Sequence, residues 1–462
     1  MATTSSSSHV YPSSSARQLD VDALNAFLRA TKTAAVSTAP SAPRLILVIG
    51  NEAADLDSMV CAVSYALAVS FEREQERGKK NDDGPSVAVV PIISVPREDF
   101  ALRTDAVWLF SQLGVDLDAL VFADDLDPLA LDAAGRLSEL VLVDHNVPAT
   151  PFQSLVPKVT RVVDHHEDES KYPPEAVVEI APVGSCATLV TEAIAAAAAA
   201  AEAERGDKED DEIEMNDDEK GRGNEKDKEE KAVASAPPSS SVSSLLQILA
   251  PGSPVAKLLT GAVLLDTQNL DPNATRATPR DAAAIKILAP AAGLRDDVEI
   301  EAFYQTLKRE RFDQKGLSPR DLLRRDYKQW DMGGWQVGVS SYQVPLASMG
   351  PEAEVTAACD VFSTQRGLDL LVLMPSFDDE ARGGAFTRQL AFVPVEGSGI
   401  ENVVPGLVEA LREGMGGLTP ATEVEGPLAA RAFYGGDPKA SRKKVQPMLL
   451  EYLTREGIAK DR

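Results

Sequence analysis

The chain has 462 residues, 44% of them apolar and 26% charged, with a formal net charge of −26. This is long and apolar enough for two or three domains with real cores, whereas the acidity argues against a general nucleic-acid binder, which needs a basic footprint. No stretch reaches ~18 uncharged apolar residues, so neither a transmembrane helix nor a membrane partner is expected.

Residues 1–19 are rich in Ser and Thr and read as a disordered tail without the apolar centre of a secretory signal. Cys61, Cys186 and Cys359 lie far apart, without a C-x-x-C pair, as expected of reduced thiols in a cytoplasmic protein. A mitochondrial presequence is the minor alternative.

A short helix, "DVDALNAFLRATK", opens the folded part. Strand-like runs follow at Arg44–Gly50, Ser86–Ile93, Ala119–Ala123, Leu140–Val143 and Val159–Val163. Each is rich in Val, Ile or Leu and lacks polar alternation, as in strands buried on both faces of a parallel sheet. Helical segments are predicted at Ser58–Arg77, Asp99–Leu113, Ala187–Glu204, Leu245–Leu265 and Arg280–Ala289. Alternating strands and helices predict an α/β fold with a doubly wound, mostly parallel sheet.

Residues 202–231 are a charge block with almost no apolar residues, followed by "ASAPPSSSVSS". Such composition cannot bury a core, so 202–244 is expected to be a disordered acidic insertion that could recruit a protein partner. Near residue 300 the chain changes character. "EIEAFYQTLKRERFD" and "SPRDLLRRDYKQW" read as basic helical segments, followed by strand-like "WQVGVSSYQV", "LDLLVLMP" and "QLAFVPVE", a helix at Asn402–Glu413, and "SRKKVQPMLLEYL". The expected organisation is a first domain over 20–290, a hinge in 291–317 and a second, α+β domain over 318–462.

Ligands of doubly wound sheets gather at the carboxyl ends of the strands. Here four strand-like runs end in acidic or histidine clusters: Asn51, Asp55 and Asp57; Asp124, Asp125 and Asp127; "DHN" (Asp144–Asn146); and "DHH" (Asp164–His166). Three of only four histidines fall in the last two clusters. Carboxylates mixed with imidazole suit Mg²⁺ or Mn²⁺, and so many ligands imply two ions. Helix capping by Asp57 or Ser58 competes at the first cluster.

"GNEAADLDS", "DHN" and "DHH", with "LLDTQNL" at Asp266, resemble the DHH phosphoesterase superfamily. "RRDYK" (Asp326, Lys328) and "SRKK" (Ser441–Lys444) resemble the signatures of the second type of DHH-associated domain. Family II pyrophosphatases have His where this chain has Asn51. Prune-type proteins resemble it at "GNEA" but usually replace the second His of DHH by Arg. RecJ-like nucleases carry a "GGGH" motif, to which "RGGAF" (Arg382–Phe386) is the nearest approach. With Asn51, an intact DHH and SRKK, the chain is most similar to eukaryotic cytosolic exopolyphosphatases.

The resemblance implies that Asp55, Asp57, Asp144, His165 and Asp266 bind two divalent ions, Mn²⁺ or Mg²⁺, with Asp144 as the bridge. It also implies a catalytic set of His166, Asp144, Asn51 and Arg442, and phosphate contacts from His166, Lys328, Arg442 and Lys443. Asp124 or Asp125 joins through a metal or a water, or Asp125 merely caps a turn. Lys308, Arg309, Arg311, Arg324 and Arg325 would line a channel or form a solvated helix face. The implied substrate is inorganic polyphosphate, and the alternatives are pyrophosphate, a nucleotide phosphodiester, or a regulatory protein with a degenerate site.

Overall fold

The uninterrupted Val, Ile and Leu runs do form a parallel sheet, because strands covered on both faces must be apolar on both. The computed structural model describes residues 19–80, 86–148, 152–220, 245–273, 276–424, 428, 431–435, 437, 440–455 and 457–460. The expected tail therefore lies outside the described residues, except for buried Leu19. The chain forms two compact units, one comprising the described residues up to Arg97 and Asp105–Lys308, the other Glu98–Thr104 and the described residues from Arg309 onward.

The sheet of the first unit contains β1 (Arg44–Ile49), β2 (Val87–Ile93), β3 (Val121–Phe122), β4 (Leu137–Val143), β5 (Val159–Asp164) and β6 (Val177–Ile180). Its order is β3-β2-β1-β4-β5-β6, with every neighbouring pair parallel. Connections from β1 wind one way and those from β4 the other, so these two strands flank a topological switch point, where a crevice opens beyond their carboxyl ends. Ala35, Leu45, Leu47, Ile49, Leu140 and Leu142 share one core. The α/β class is as expected.

Helix Cys186–Lys220 runs into the segment expected to be disordered. The reason is local: Ala195–Ala201 is an unbroken run of the strongest helix former, so the helix propagates into the acidic block. Residues 221–244 lie outside the described residues. By length and composition, Cys186–Ala203 could cross a membrane, contrary to the expectation from uncharged apolar runs, because charge interrupts it only at Glu192 and Glu202. In this fold Cys186, Leu189, Val190 and Ile194 are core residues. The helix predicted over Leu245–Leu265 is two, Leu245–Ile248 and Pro254–Asp266, because Pro251, Gly252 and Pro254 break it. The strand expected at Ala119–Ala123 shrinks to Val121–Phe122 at the sheet edge.

The second unit contains β7 (Tyr327–Met332), β8 (Trp335–Ser340), β9 (Leu370–Leu373), β10 (Ser376–Asp379), β11 (Ala385–Pro394), β12 (Leu418–Pro420) and β13 (Ala432–Gly435). Their order is β12-β13-β11-β9-β8-β7, with β10 also on β11 and only β8–β9 parallel. Helix Glu352–Arg366 packs through Val355, Cys359 and Phe362 on one face. Helices Val404–Gly414 and Arg442–Leu453 pack on the other. "DYKQW" is strand rather than helix: the helix ends at Arg325, and Tyr327–Met332 pairs with β8.

Residues 291–317, expected as a hinge, are mostly the helix Asp297–Phe312. Glu98–Thr104 belongs to the second unit through arginines that the sequence suggested for a channel or helix face. The Arg324 side chain is only 7% exposed and pairs with Asp99 at 2.7 Å, Glu98 at 2.9 Å and Asp321 at 2.7 Å. Arg325 donates to the carbonyls of Leu102 and Arg311.

Candidate metal centre

At the switch point the chain leaves β1 through Gly50, where a Cβ would overlap Ser58 Oγ. That close approach lets Ser58 Oγ accept the Asn51 N–H at 2.7 Å, while the Ser58 N–H donates to Asp55 Oδ1 at 3.1 Å. Capping of helix Leu56–Lys80 thus falls to Asp55, not to Asp57 or Ser58.

Asp57 is buried and receives the N-terminus of another helix. Its Oδ1 accepts Ser185 Oγ–H at 2.8 Å and the Ala187 N–H at 2.9 Å, and its Oδ2 accepts the Cys186 N–H at 2.7 Å. A carboxylate is favoured there because it meets unsatisfied N–H groups and the positive end of the helix dipole. Ser185 just before an apolar helical run is the signal that could have located this partner from sequence.

Asp144, immediately after β4, has φ +62°, a left-handed conformation uncommon outside glycine. Asn51 Nδ2 donates to Asp144 Oδ2 at 2.7 Å, while Asn51 Oδ1 accepts the Ala54 N–H at 3.0 Å. The other carboxylate oxygen of Asp144, Oδ1, is buried without a hydrogen-bond donor among the described residues. His165 Nε2 lies 3.2 Å from it, in ion-pair contact without hydrogen-bond alignment, and 4.0 Å from Asp57 Oδ2. The opposite nitrogen, His165 Nδ1, donates to the Val183 carbonyl at 3.0 Å, which turns Nε2 inward. A ring nitrogen fixed by a carbonyl on its far side is the usual orientation of a metal-binding imidazole.

The electrostatics mark the same place. Burial and then the charge of Asp57 push the Asp144 carboxyl up to about 7. Asp266, the last residue of helix Pro254–Asp266, is pushed well above the carboxylate range by burial and then by Asp57 and Asp55. Burial opposes the imidazolium of His165, but the adjoining Asp144 and Asp57 raise it to about 10. Four carboxylates thus converge with one inward imidazole, and Asp144, His165 and His166 offer donor atoms within 4.8 Å of one another. The orphaned Asp144 oxygen and this oxygen- and imidazole-rich donor set fit a hard divalent cation.

The DHH and DHN motifs contribute differently from residue to residue. Asp164 is fully buried yet held below the usual carboxylate range, because His166 and Asn146 hydrogen-bond to it against the effect of burial. His166 exposes 55% of its side chain and gives Nδ1 to Asp164 Oδ1 at 2.8 Å. His145 instead donates to the Val143 carbonyl at 2.9 Å, a structural bond within its own loop.

The acids after β3 have local partners. Asp124 accepts the Arg97 N–H at 2.9 Å; Asp125 accepts the Phe122 N–H at 3.0 Å and pairs with Arg97 at 2.8 Å; Asp127 caps helix Pro128–Ala133. In the second unit, Lys328 on β7 and Lys443 are exposed. Arg442 donates to Asp326 Oδ1 at 2.7 Å and to its carbonyl at 2.8 Å, so the D-x-K and SRKK motifs interlock through their Asp and Arg.

Three consecutive non-glycine residues just beyond Asp266, namely Gln268, Asn269 and Leu270, have φ between +52° and +58°. Each left-handed residue costs roughly 1–2 kcal/mol, and Gln268 is exposed. Gln268→Gly is therefore expected to stabilise the protein by about 0.5–1 kcal/mol, read as a higher urea midpoint at unchanged slope. An unchanged or lower midpoint would count against this backbone geometry.

A doubly wound parallel sheet with an Asp and His cluster at its switch point, followed by a mixed-sheet unit, defines an α/β protein with a candidate divalent-cation centre. The family model described as the DHH family, N-terminal domain, matches residues 45–216, and that of the DHHA2 domain matches residues 305–452. This chain belongs to the DHH phosphoesterase family. It is 29% identical over 414 residues to the Mus musculus protein named exopolyphosphatase PRUNE1, covering 89% of this chain and 76% of that one. It is 28% identical over 428 residues to the Schizosaccharomyces pombe protein named "Putative exopolyphosphatase", covering 90% and 92%.

Proposed function

We propose that this DHH-family protein is an exopolyphosphatase that releases terminal orthophosphate from linear inorganic polyphosphate, using two divalent ions, Mn²⁺ or Mg²⁺. The observation that carries the reading is the buried Asp144 Oδ1, without an aligned hydrogen-bond donor among the described residues and 3.2 Å from His165 Nε2, with the exposed imidazole of His166 beside them. Bound at these residues, divalent cations would make a water more acidic and offset the charge of the phosphoanhydride.

The chain's own groups supply the rest. Asp55, Asp57, Asp144, His165 and Asp266 hold the ions in this reading. His166, turned by Asp164, offers Nε2 to a phosphate oxygen and can give a proton to the departing phosphate. Lys328, Arg442 and Lys443 are proposed as phosphate contacts from their motifs, and Arg442 is preset by Asp326.

Asn51 favours this activity over pyrophosphate hydrolysis. Its amide oxygen is engaged by Ala54 and its amide group by Asp144, so it orients Asp144 instead of standing in for the imidazole of pyrophosphatases. A cytoplasmic location accords with three buried free thiols. The acidic segment from residue 202 is proposed as a place for a protein partner.

The test is phosphate release with Mn²⁺ or Mg²⁺ from long-chain polyphosphate, tripolyphosphate and pyrophosphate. Release from the longer substrates with pyrophosphate left over is expected, and His166→Ala should slow it by roughly 10²-fold or more. Turnover of pyrophosphate alone would replace this reading with pyrophosphatase. Inactivity on all three would move it to another phosphoester.

A further inference from the structure

Asp164 opens the DHH motif but does not behave like the acids around it. It lies at the end of β5 with no solvent exposure, and its carboxylate is surrounded by donors. Oδ1 accepts the backbone N–H of His165 at 2.8 Å, that of His166 at 3.2 Å, and His166 Nδ1–H at 2.8 Å. Oδ2 accepts Asn146 Nδ2 at 2.6 Å. Asp144, just after the neighbouring strand β4, has the opposite character, with one oxygen lacking an aligned hydrogen-bond donor among the described residues.

Asn146 is equally engaged. Besides Asp164, its Nδ2 donates to the Glu167 carbonyl at 3.0 Å, and its Oδ1 accepts the Glu169 N–H at 3.0 Å. One asparagine from the loop after β4 therefore ties down both the carboxylate and the backbone of the loop after β5.

We propose that Asp164 and Asn146 are positioning residues for His166: Asp164 binds Nδ1 and leaves Nε2 as the working nitrogen, and Asn146 holds Asp164 against the ring. On this assignment Asp164 is not a metal ligand, and the DHN and DHH motifs are one hydrogen-bonded assembly. An imidazole on the surface has two rotamers and two tautomers to choose from. A buried carboxylate on one nitrogen removes that choice, as the outer partners of metal-site histidines do. The catalytic arm of the test rests on the proposed phosphatase reading; the binding and spectroscopic arms do not.

The experiment compares the full chain with Asp164→Ala, Asp164→Asn, His166→Ala, His165→Ala and the Asp164→Ala/His166→Ala double variant. Selective ¹⁵N-histidine labelling, practical with four histidines, reads the His166 tautomer. Calorimetry with Mn²⁺ reads metal binding, and phosphate release from tripolyphosphate reads catalysis. In Asp164→Ala the His166 Nδ1–H signal should be lost while that of His165 persists. Mn²⁺ affinity should stay within about threefold and kcat fall roughly 10–100-fold, the usual span for lost outer partners. The double variant should be no slower than His166→Ala by more than about twofold, because residues acting as a unit are not additive.

Asp164→Asn keeps an acceptor for the ring and should recover part of the rate; it also serves if the alanine variant fails to fold. Mn²⁺ affinity lost as fully as in His165→Ala would make Asp164 a ligand and overturn the assignment. So would multiplying losses in the double variant, or an unchanged His166 tautomer. If the wild-type chain releases no phosphate, the proposed function fails, and the tautomer and Mn²⁺ arms alone decide the positioning role.

Discussion

Asp144→Asn is expected to abolish divalent-metal binding while making the metal-free protein more stable. The amide is isosteric and tolerates the left-handed φ of +62° better than most residues do. Its oxygen can keep the bond from Asn51 Nδ2, and its amide nitrogen then faces His165 Nε2, the contact that the carboxylate makes at 3.2 Å without a hydrogen bond. Removing the anion should reduce metal affinity and activity by more than about 10²-fold. It also removes a buried charge whose pKa stands near 7 instead of 3.8, a gain of about 2–4 kcal/mol at pH 8 without metal.

The pH dependence has a definite sign. Asp144 takes up a proton on folding between its unfolded value of 3.8 and its folded value of about 7, so its penalty is absent below pH 4 and complete above pH 7. His165, raised from 6.5 to about 10, contributes stability that is fully present below 6.5 and lost as pH rises through 10. Both slopes run the same way, so the metal-free protein should lose Tm steadily from pH 5 to pH 9. A divalent cation replaces these protons, and Mn²⁺ should therefore raise Tm more at pH 8 than at pH 6. Thermal scans in chelator and in Mn²⁺ across this range provide the check. A chelated Tm that rises with pH, or is the same in Asp144→Asn and wild type, would refute the account.

Asp281→Ala is expected to produce the largest loss of stability among single polar substitutions, about 3–5 kcal/mol. Its buried carboxylate accepts the Gly184 N–H at 2.9 Å, Thr188 Oγ1–H at 2.6 Å, and both the N–H and the hydroxyl of Thr278 at 2.7 Å. Alanine would leave the Gly184 and Thr188 donors buried, and those of half-buried Thr278, without this acceptor. The consequence should reach the metal centre, because the same turn carries the Val183 carbonyl that orients His165 and the Ser185–Ala187 donors that hold Asp57. Urea unfolding should show a lower midpoint, and Mn²⁺ affinity should fall by about tenfold even though Asp281 is not a ligand. A stability loss under about 1 kcal/mol would mean that the site relaxes and finds other acceptors.

Much of the first unit could be read from local pattern. Apolar runs such as Arg44–Ile49 and Val159–Asp164 need no partner to be recognised, because burial on both faces imposes composition within the strand itself. The same holds for acids and histidines placed directly after such runs, and the ordered motifs carried the family. Where local preference was contested, reading by composition failed. Residues 202–220 are charged yet continue an alanine-led helix, and "DYKQW" follows a basic helix yet pairs as a strand with β8.

The roles of individual carboxylates were settled only by tertiary structure. Asp55, Asp57, Asp144, Asp164 and Asp281 are the same residue in the sequence. One caps its own helix, one receives the N-terminus of a helix about 130 residues away, one keeps a donorless oxygen, one orients a histidine, and one braces a turn. What separates them is how many hydrogen-bond donors the fold brings to each buried oxygen. That number depends on strand order and on loops far apart in the chain. Sequence therefore marked the candidates for holding metal and phosphate; the packing of β1 beside β4 decided which buried acid oxygens receive donors and which are left for a cation to satisfy.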